Sequence, residues 1–109
     1  DADSGVLLRC AERANPGSVT CYQVNIFDRS PDPGFGTGSI VYVSKVRTAP
    51  RTAGRWNTLE VSARGAQLVV SINGQETVSV KDTRLKEGPF ALQWAGGTIR
   101  FRNVRIRPL

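Results

Sequence analysis

The amino-acid sequence predicts an all-β protein made of two packed antiparallel sheets. Apolar and polar residues alternate with a period of two through most of the chain, and no segment keeps an apolar stripe at helical spacing for three turns. The alternating runs are short and are separated by turn signals such as "NPG", "NG", "KEG" and "AGG". Many short strands joined by Gly-rich turns are typical of a sandwich or a barrel.

Eight segments have the strand pattern. They are residues 5–12, 19–28, 38–46, 55–64, 66–73, 75–81, 89–95 and 98–107. The most specific local signal is "QLVVSINGQETVSV", because Asn73 and Gly74 both tolerate positive φ and so predict a tight hairpin turn. The longest polar connection, "DRSPDPGFGTG", is stiffened by Pro31 and Pro33, and loops of this kind often carry function.

The last predicted strand, "IRFRNVRIRPL", threads arginines between apolar residues. Ile99 and Phe101 share one face, and a β-bulge at residues 102–103 would return Val104 and Ile106 to that face. The arginines are then expected to form a solvent-exposed face; they are Arg100, Arg102, Arg105 and Arg107.

Length and charge limit the classes of protein. The 109 residues fit one domain, spanning 1–109. The net charge of +6 favours anionic partners, but charge alone says little about fold. No run of about 18 apolar residues predicts a membrane span. Nucleic acid ranks below a glycan as a partner, because the chain has too few aromatic residues for an obvious base-stacking platform.

The two cysteines lie in neighbouring predicted strands. A hairpin would bring Cys10 and Cys21 together, and a disulfide there would stabilise the fold by about 3 kcal/mol and indicate an extracellular or periplasmic protein. Two buried free thiols are the alternative. Since the chain has no histidine, a zinc site is not supported, and no cofactor is expected. The sequence leaves open a calcium ion in the loop from Asp28 to Asp32.

The absence of histidine also excludes the usual catalytic triads and the ordinary base near neutral pH. The strand "CYQVNIFD" suggests a binding surface instead. Its core face is expected to hold Tyr22, Val24 and Ile26, and its other face Gln23, Asn25 and Phe27. Two amides beside an aromatic ring suit sugar hydroxyls, and a plain solvent face is the alternative. Arg9 on the neighbouring strand and Trp94 as a stacking ring are expected to join this surface.

Seven segments carry a family resemblance in order and spacing. They are "SGVLLR", "YQVNIFD", "GTGSIVY", "AGRWNTLEVSARG", "LVVSINGQETV", "GPFALQ" and "IRFRNVRIRPL". Together they resemble the 3-keto-disaccharide hydrolase-like family of the concanavalin A-like lectin/glucanase superfamily. The resemblance implies a jelly-roll sandwich, export from a bacterial cell and a carbohydrate-directed concave sheet. It also implies further strands before Ser4, which are lost, cleaved or supplied by another chain; the last case predicts a homodimer.

The resemblance also sorts the candidate site residues. Arg9, Asp28 and Gln93 fit the family pattern, whereas Gln23 replaces a carboxylate, and Trp94 begins a segment that departs from it. Amides keep hydrogen bonding but do not transfer protons, so binding without turnover is expected. The predicted ligand-binding set is Arg9, Gln23, Asn25, Asp28, Gln93 and Trp94.

Two other functions remain open at this point. One is an active hydrolase or lyase on keto-sugar glycosides, with Asp28 as the base and Arg9 polarising the carbonyl. The other is a basic surface that binds acidic polysaccharide or nucleic acid.

Overall fold

A computed structural model describes residues 2–12, 15–46 and 48–108 and has two three-stranded antiparallel sheets. Sheet I has the strand order β2-β1-β6, and sheet II has the order β3-β4-β5. The strands are β1 (Asp3–Leu8), β2 (Tyr22–Ile26), β3 (Leu59–Arg64), β4 (Gln67–Ile72), β5 (Gln75–Lys81) and β6 (Ala91–Gly96). Within the described ranges, the 3-10 turn Pro33–Phe35 is the sole helical element. The predicted all-β, two-sheet antiparallel fold is confirmed.

The main core lies between the two sheets and follows from the alternation. Tyr22 and Val24 on β2 are buried against Leu68 and Val70 on β4 and Val78 on β5. Because side chains of a strand point to alternate faces, these residues leave their sequence neighbours on the opposite side. Tyr22 and Val24 therefore face the core, as predicted. The side chains on the other face of β2 belong to the candidate site.

The hairpin between β4 and β5 forms at the predicted turn. Asn73 and Gly74 have φ angles of 52° and 81°, which suit a tight hairpin turn of the type that Asn-Gly favours. The Asn73 side chain also accepts a hydrogen bond from the backbone N–H of Thr58, at 2.8 Å. One residue thus sets the turn and ties it to the start of β3.

A second, smaller core cluster lies on the face of sheet I that points away from sheet II. It consists of Leu7, Cys10 and Cys21, with Ala91 packed against them. A disulfide joins Cys10 to Cys21, as predicted, so the alternative of two free thiols is wrong.

The prediction of a strand at 38–46 is wrong. The backbone runs beside β2 through hydrogen bonds between Gly38 N and Asn25 O, and between Val41 N and Gln23 O, each 2.9 Å. It then reverses at Tyr42, whose φ is 62°, and forms only isolated bridges, at Ile40 and Ser44. Positive φ breaks the extended run that the alternation predicts.

The prediction of a last strand at 98–107 is also wrong. This segment forms no ladder with a described strand, so its alternate apolar residues have no core face to enter. Val104 and Ile106 are 52% and 66% exposed. Asn103, where the β-bulge was predicted, has a φ of 53°, but the segment has no ladder for a bulge to interrupt. Arg100, Arg102, Arg105 and Arg107 are exposed, as expected.

Candidate functional site

The outer face of sheet I gathers three side-chain amides. The strand register places Asn25, Gly5 and Gln93 in one row across the sheet, and Gln23 opposite Leu7 in the next. Residues opposite one another in antiparallel strands share a face. The amides of β2 and β6 therefore lie on the same surface, although 70 residues separate Gln23 from Gln93.

The three amides hold one another in place. Nε2 of Gln23 donates hydrogen bonds to Oδ1 of Asn25 at 3.1 Å and to Oε1 of Gln93 at 3.0 Å. Nδ2 of Asn25 donates to the backbone oxygen of Phe35 at 2.7 Å. Gln23 is only 8% exposed and Asn25 only 2% exposed, and buried amides require such partners. We call Gln23, Asn25 and Gln93 the amide cluster.

Gly5 makes the amide cluster sterically feasible. A Cβ atom at this position would lie 2.9 Å from both Oε1 of Gln93 and the backbone oxygen of Val24. Any larger residue would therefore collide with the cluster from below. This role of Gly5 was not predicted from the sequence, although a glycine inside an alternating strand is a signal for close approach of another group.

A cavity of about 450 Å³ lies over the amide cluster. It is lined by Asp3, Ser18, Gln23, Asn25, Phe27, Ser30, Pro31, Asp32, Phe35, Val41, Gln93 and Ala95. Within the described residues, Oε1 of Gln23 accepts no hydrogen bond from the protein, and Nε2 of Gln93 donates none to it. The cavity thus offers an acceptor and a donor on adjoining amides, next to two phenyl rings. Paired hydroxyls and an apolar ring face would complement this arrangement.

Asp28 lies outside this cavity, contrary to the prediction. Its Oδ1 accepts hydrogen bonds from the hydroxyls of Thr37 and Thr52, at 2.6 and 2.8 Å, and its Oδ2 accepts from the N–H groups of Thr52 and Ala53. Burial raises the pKa of Asp28, but the hydrogen bonds from Thr37, Thr52 and Ala53 together outweigh it and lower the pKa. The carboxylate therefore fastens the 52–53 segment and is poorly suited to accept a proton.

Arg9 is also absent from the cavity. Its φ of 50° ends β1 and turns the side chain towards sheet II. There its guanidinium donates to the backbone oxygens of Ala63, Gly65 and Leu85, at 3.1, 2.6 and 3.3 Å. The prediction that Arg9 continues the outward alternation is wrong because the left-handed backbone reverses the direction of the side chain.

Trp94 lies on the opposite face from the amide cluster. It follows Gln93 directly on β6, and successive side chains of a strand point to opposite faces. Trp94 is 68% exposed, and its Nε1 donates to the backbone oxygen of Gly97 at 2.8 Å. The aromatic residues of the cavity are instead Phe27 and Phe35, of which the sequence analysis singled out only the first.

A second and larger concave surface lies on the side of the molecule formed by β3, β6 and the C-terminal segment. We call this surface, of about 2050 Å³, the arginine groove. Its arginines are Arg9, Arg55, Arg64, Arg100, Arg102, Arg105 and Arg107. Exposed apolar side chains such as Trp56, Leu92 and Phe101 lie between them, and the Arg102 guanidinium is 3.9 Å from the centre of the Trp56 ring.

Over the described ranges, no group of three or more Cys, Asp and Glu side chains is placed to hold a metal ion. None of the helical segments in those ranges is both long and apolar enough to span a bilayer.

Comparison with known proteins agrees with this architecture. The fold is an antiparallel β-sandwich with a cavity over the amide cluster of one sheet. More specifically, the chain belongs to the 3-keto-alpha-glucoside-1,2-lyase-like domain family, which matches residues 1–107. The family assignment made from the sequence is confirmed, and with it a glycoside hydrolase-like, carbohydrate-related class of domain. No curated protein is significantly similar to the chain.

The chain is similar in fold to several solved structures, of which one is an example. It is the crystal structure of a "Putative glycosyl hydrolase" from Parabacteroides distasonis ATCC 8503, with a TM-score of 0.65 and 18% sequence identity. The match covers 72% of this chain and 44% of that one. The chain therefore spans less than half the length of that protein, and the similarity supports the fold alone.

Proposed function

We propose that this chain is a carbohydrate-binding domain that holds a saccharide in the cavity over the amide cluster without turning it over. The observation that carries the proposal is the pair of unused amide atoms, Oε1 of Gln23 and Nε2 of Gln93, which line that cavity. Neighbouring sugar hydroxyls donate to one such atom and accept from the other, while the rings of Phe27 and Phe35 provide apolar contact.

Preorganisation favours binding at this site. Gln23 and Asn25 are buried and are already fixed by hydrogen bonds, so little side-chain freedom would be lost when a ligand arrives. The same atoms do not ionise and so supply no general acid or base. The amide cluster is therefore suited to binding, whereas catalysis would need a general acid or base from outside the cluster.

A matched pair of variants tests the binding site. Gln93→Leu removes the free donor and one partner of Gln23, and we expect saccharide affinity to fall about tenfold, as for the loss of one to two hydrogen bonds. Gln67→Leu makes the same chemical change on β4, far from the cavity, and should leave affinity unchanged. A glycan array followed by calorimetry gives the measurement. Equal affinities of wild type and Gln93→Leu would refute the site.

The alternative function is an active hydrolase or lyase on keto-sugar glycosides. It needs Asp28 as a base and Arg9 to polarise a carbonyl, yet both side chains are engaged in structural hydrogen bonds, and both border the arginine groove and not the amide cavity. We therefore expect no product from a 3-keto-glucoside at any pH between 4 and 9. Product that disappears in Asp28→Asn would favour the enzyme.

We also propose that the protein is exported. The disulfide between Cys10 and Cys21 is compatible with an extracellular or periplasmic location, because such bonds persist in oxidising compartments. Fractionation of the native host, with the mass of the protein measured before and after reduction, tests the location and the redox state together.

A partner chain is proposed for the arginine groove. Edges of β3 and β6 have no second neighbour among the described strands, and the groove exposes Trp56, Leu92 and Phe101. Such a surface suits further strands, either from the same polypeptide or from a second copy in a homodimer. Analytical ultracentrifugation distinguishes a monomer from a dimer.

The groove also favours one second candidate function. Its seven arginines suit an acidic polysaccharide and, with less support, nucleic acid. Binding of this kind requires affinity to fall steeply with salt, with a slope near −0.9 per phosphate contacted on duplex DNA. A weak salt dependence would remove this candidate.

A further inference from the structure

We propose that the cavity over the amide cluster selects saccharides by charge, rejecting anionic sugars and preferring an amino sugar to its neutral counterpart. This inference rests on the proposed function, since it names the ligand class of the same site. It runs against the net charge of +6, which by itself predicts an acidic ligand.

The lining of the cavity carries the inference. Two carboxylates, those of Asp3 and Asp32, border the cavity, and no Lys or Arg of the described chain lines it. The arginine groove is instead lined by seven arginines, together with the carboxylates of Asp28 and Glu60. These seven arginines therefore line a different surface from the amide cluster, and the charged side chains that line the cavity within the described residues are those of Asp3 and Asp32.

Asp32 has a fixed geometry at the rim. Its Oδ1 accepts the backbone N–H of Gly34 at 2.8 Å as the N-cap of the 3-10 turn Pro33–Phe35. No protein donor within the described residues reaches its Oδ2. This oxygen is available to a ligand ammonium group, while the carboxylate of a uronic acid would meet like charge.

The test uses oligosaccharides that differ only in charge. We suggest three β-1,4-linked gluco-tetraoses, namely the glucosamine, glucose and glucuronate forms, and the three corresponding galacto forms. Calorimetry at low salt should give the order amino, neutral, anionic, with about three- to tenfold between steps, as expected for partly exposed charge pairs. Raising the salt concentration should narrow these steps.

Charge-neutralising variants localise the effect. The double variant Asp3→Asn with Asp32→Asn should remove the amine preference while neutral binding stays within about threefold; Asn at position 32 preserves the N-cap. Glu76→Gln on β5 removes one negative charge away from either surface and should leave the order unchanged.

Each outcome is decisive. Uronate binding as tight as neutral binding, with Gln93→Leu still harmful, overturns the charge preference and keeps the saccharide site. Binding by none of the six oligosaccharides overturns the proposed function, and this inference with it. An amine preference that survives the double variant assigns the selection to other groups and also overturns the proposal.

Discussion

The amide cavity and the arginine groove present polar side chains in opposite ways, buried and hydrogen-bonded in the first and exposed in the second. In the cavity, Gln23 and Asn25 are buried and held by neighbours, so their orientation is set before a ligand arrives. In the groove, Arg102 and the rest of the C-terminal arginines are exposed and lie outside any strand. Charge density and recognition are therefore separate properties, because uncharged groups that are fixed in advance are better suited to select a ligand than numerous exposed cations.

Removal of the disulfide beside the cavity should have the largest effect on stability. Replacing both Cys10 and Cys21 by Ala removes the bridge between β1 and β2, and we expect the free energy of unfolding to fall by about 3 kcal/mol. Urea denaturation measures this change. If the midpoint does not move, the packing of Leu7 and Ala91 alone holds this part of the sheet.

Gly5→Ala is the most direct way to break the amide cluster. A methyl group would press against Oε1 of Gln93 and the backbone of Val24, so we expect a loss of about 1–3 kcal/mol in stability together with loss of saccharide binding. Gly17→Ala is the matched control, since nothing lies within 4 Å of the added Cβ. Thermal unfolding and calorimetry should separate the two variants, and similar behaviour of both would contradict the steric argument.

Asp28→Ala tests the carboxylate that borders the groove side. Its four hydrogen bonds should contribute about 1 kcal/mol after allowance for partial exposure. Because the folded-state pKa is lowered, this stability is fully present above pH of about 4 and is lost as the pH falls through the folded-state pKa. The urea midpoints of wild type and variant should therefore converge as the pH is lowered below 4, and a constant difference would exclude the ionised form as the cause.

Arg102→Ala should have the smallest effect. An exposed cation over Trp56 contributes about 0.5 kcal/mol, and the flanking arginines remain. The fluorescence of Trp56 should shift, while saccharide affinity in the cavity should not change. A large loss of that affinity would show that the arginine groove contributes to binding in the cavity, which would contradict the separation of the two surfaces.

Local patterns predicted the sheets but not the positions of single residues that leave them. The β4–β5 hairpin and the inward face of β2 follow from alternation and from Asn73–Gly74, which act over a few residues. Arg9 and Tyr42 depart from the pattern because each takes a positive φ, which side chains of this type do not signal. The C-terminal segment departs because a strand needs a partner, and alternation carries no information on whether one is present.

The candidate site was predictable in the same limited way. Gln23 and Asn25 were identified from β2, and Gln93 from the family pattern, but their mutual hydrogen bonds depend on the register of β1 between them. Phe35 enters from the main loop, and its position follows from a tertiary contact with Asn25. The error at Trp94 is one of parity, since Gln93 and Trp94 are neighbours in sequence and cannot share a face of one strand.

The segment at residues 38–41 runs along the free side of β2, and the chain then turns back at Tyr42. This arrangement limits self-association through β2. By satisfying backbone groups of β2, it removes a template on which another molecule could polymerise. Edge-to-edge aggregation would therefore start from the other strand edges, at β6, β3 or β5, where substitutions to Lys or Pro would block pairing in a concentrated preparation.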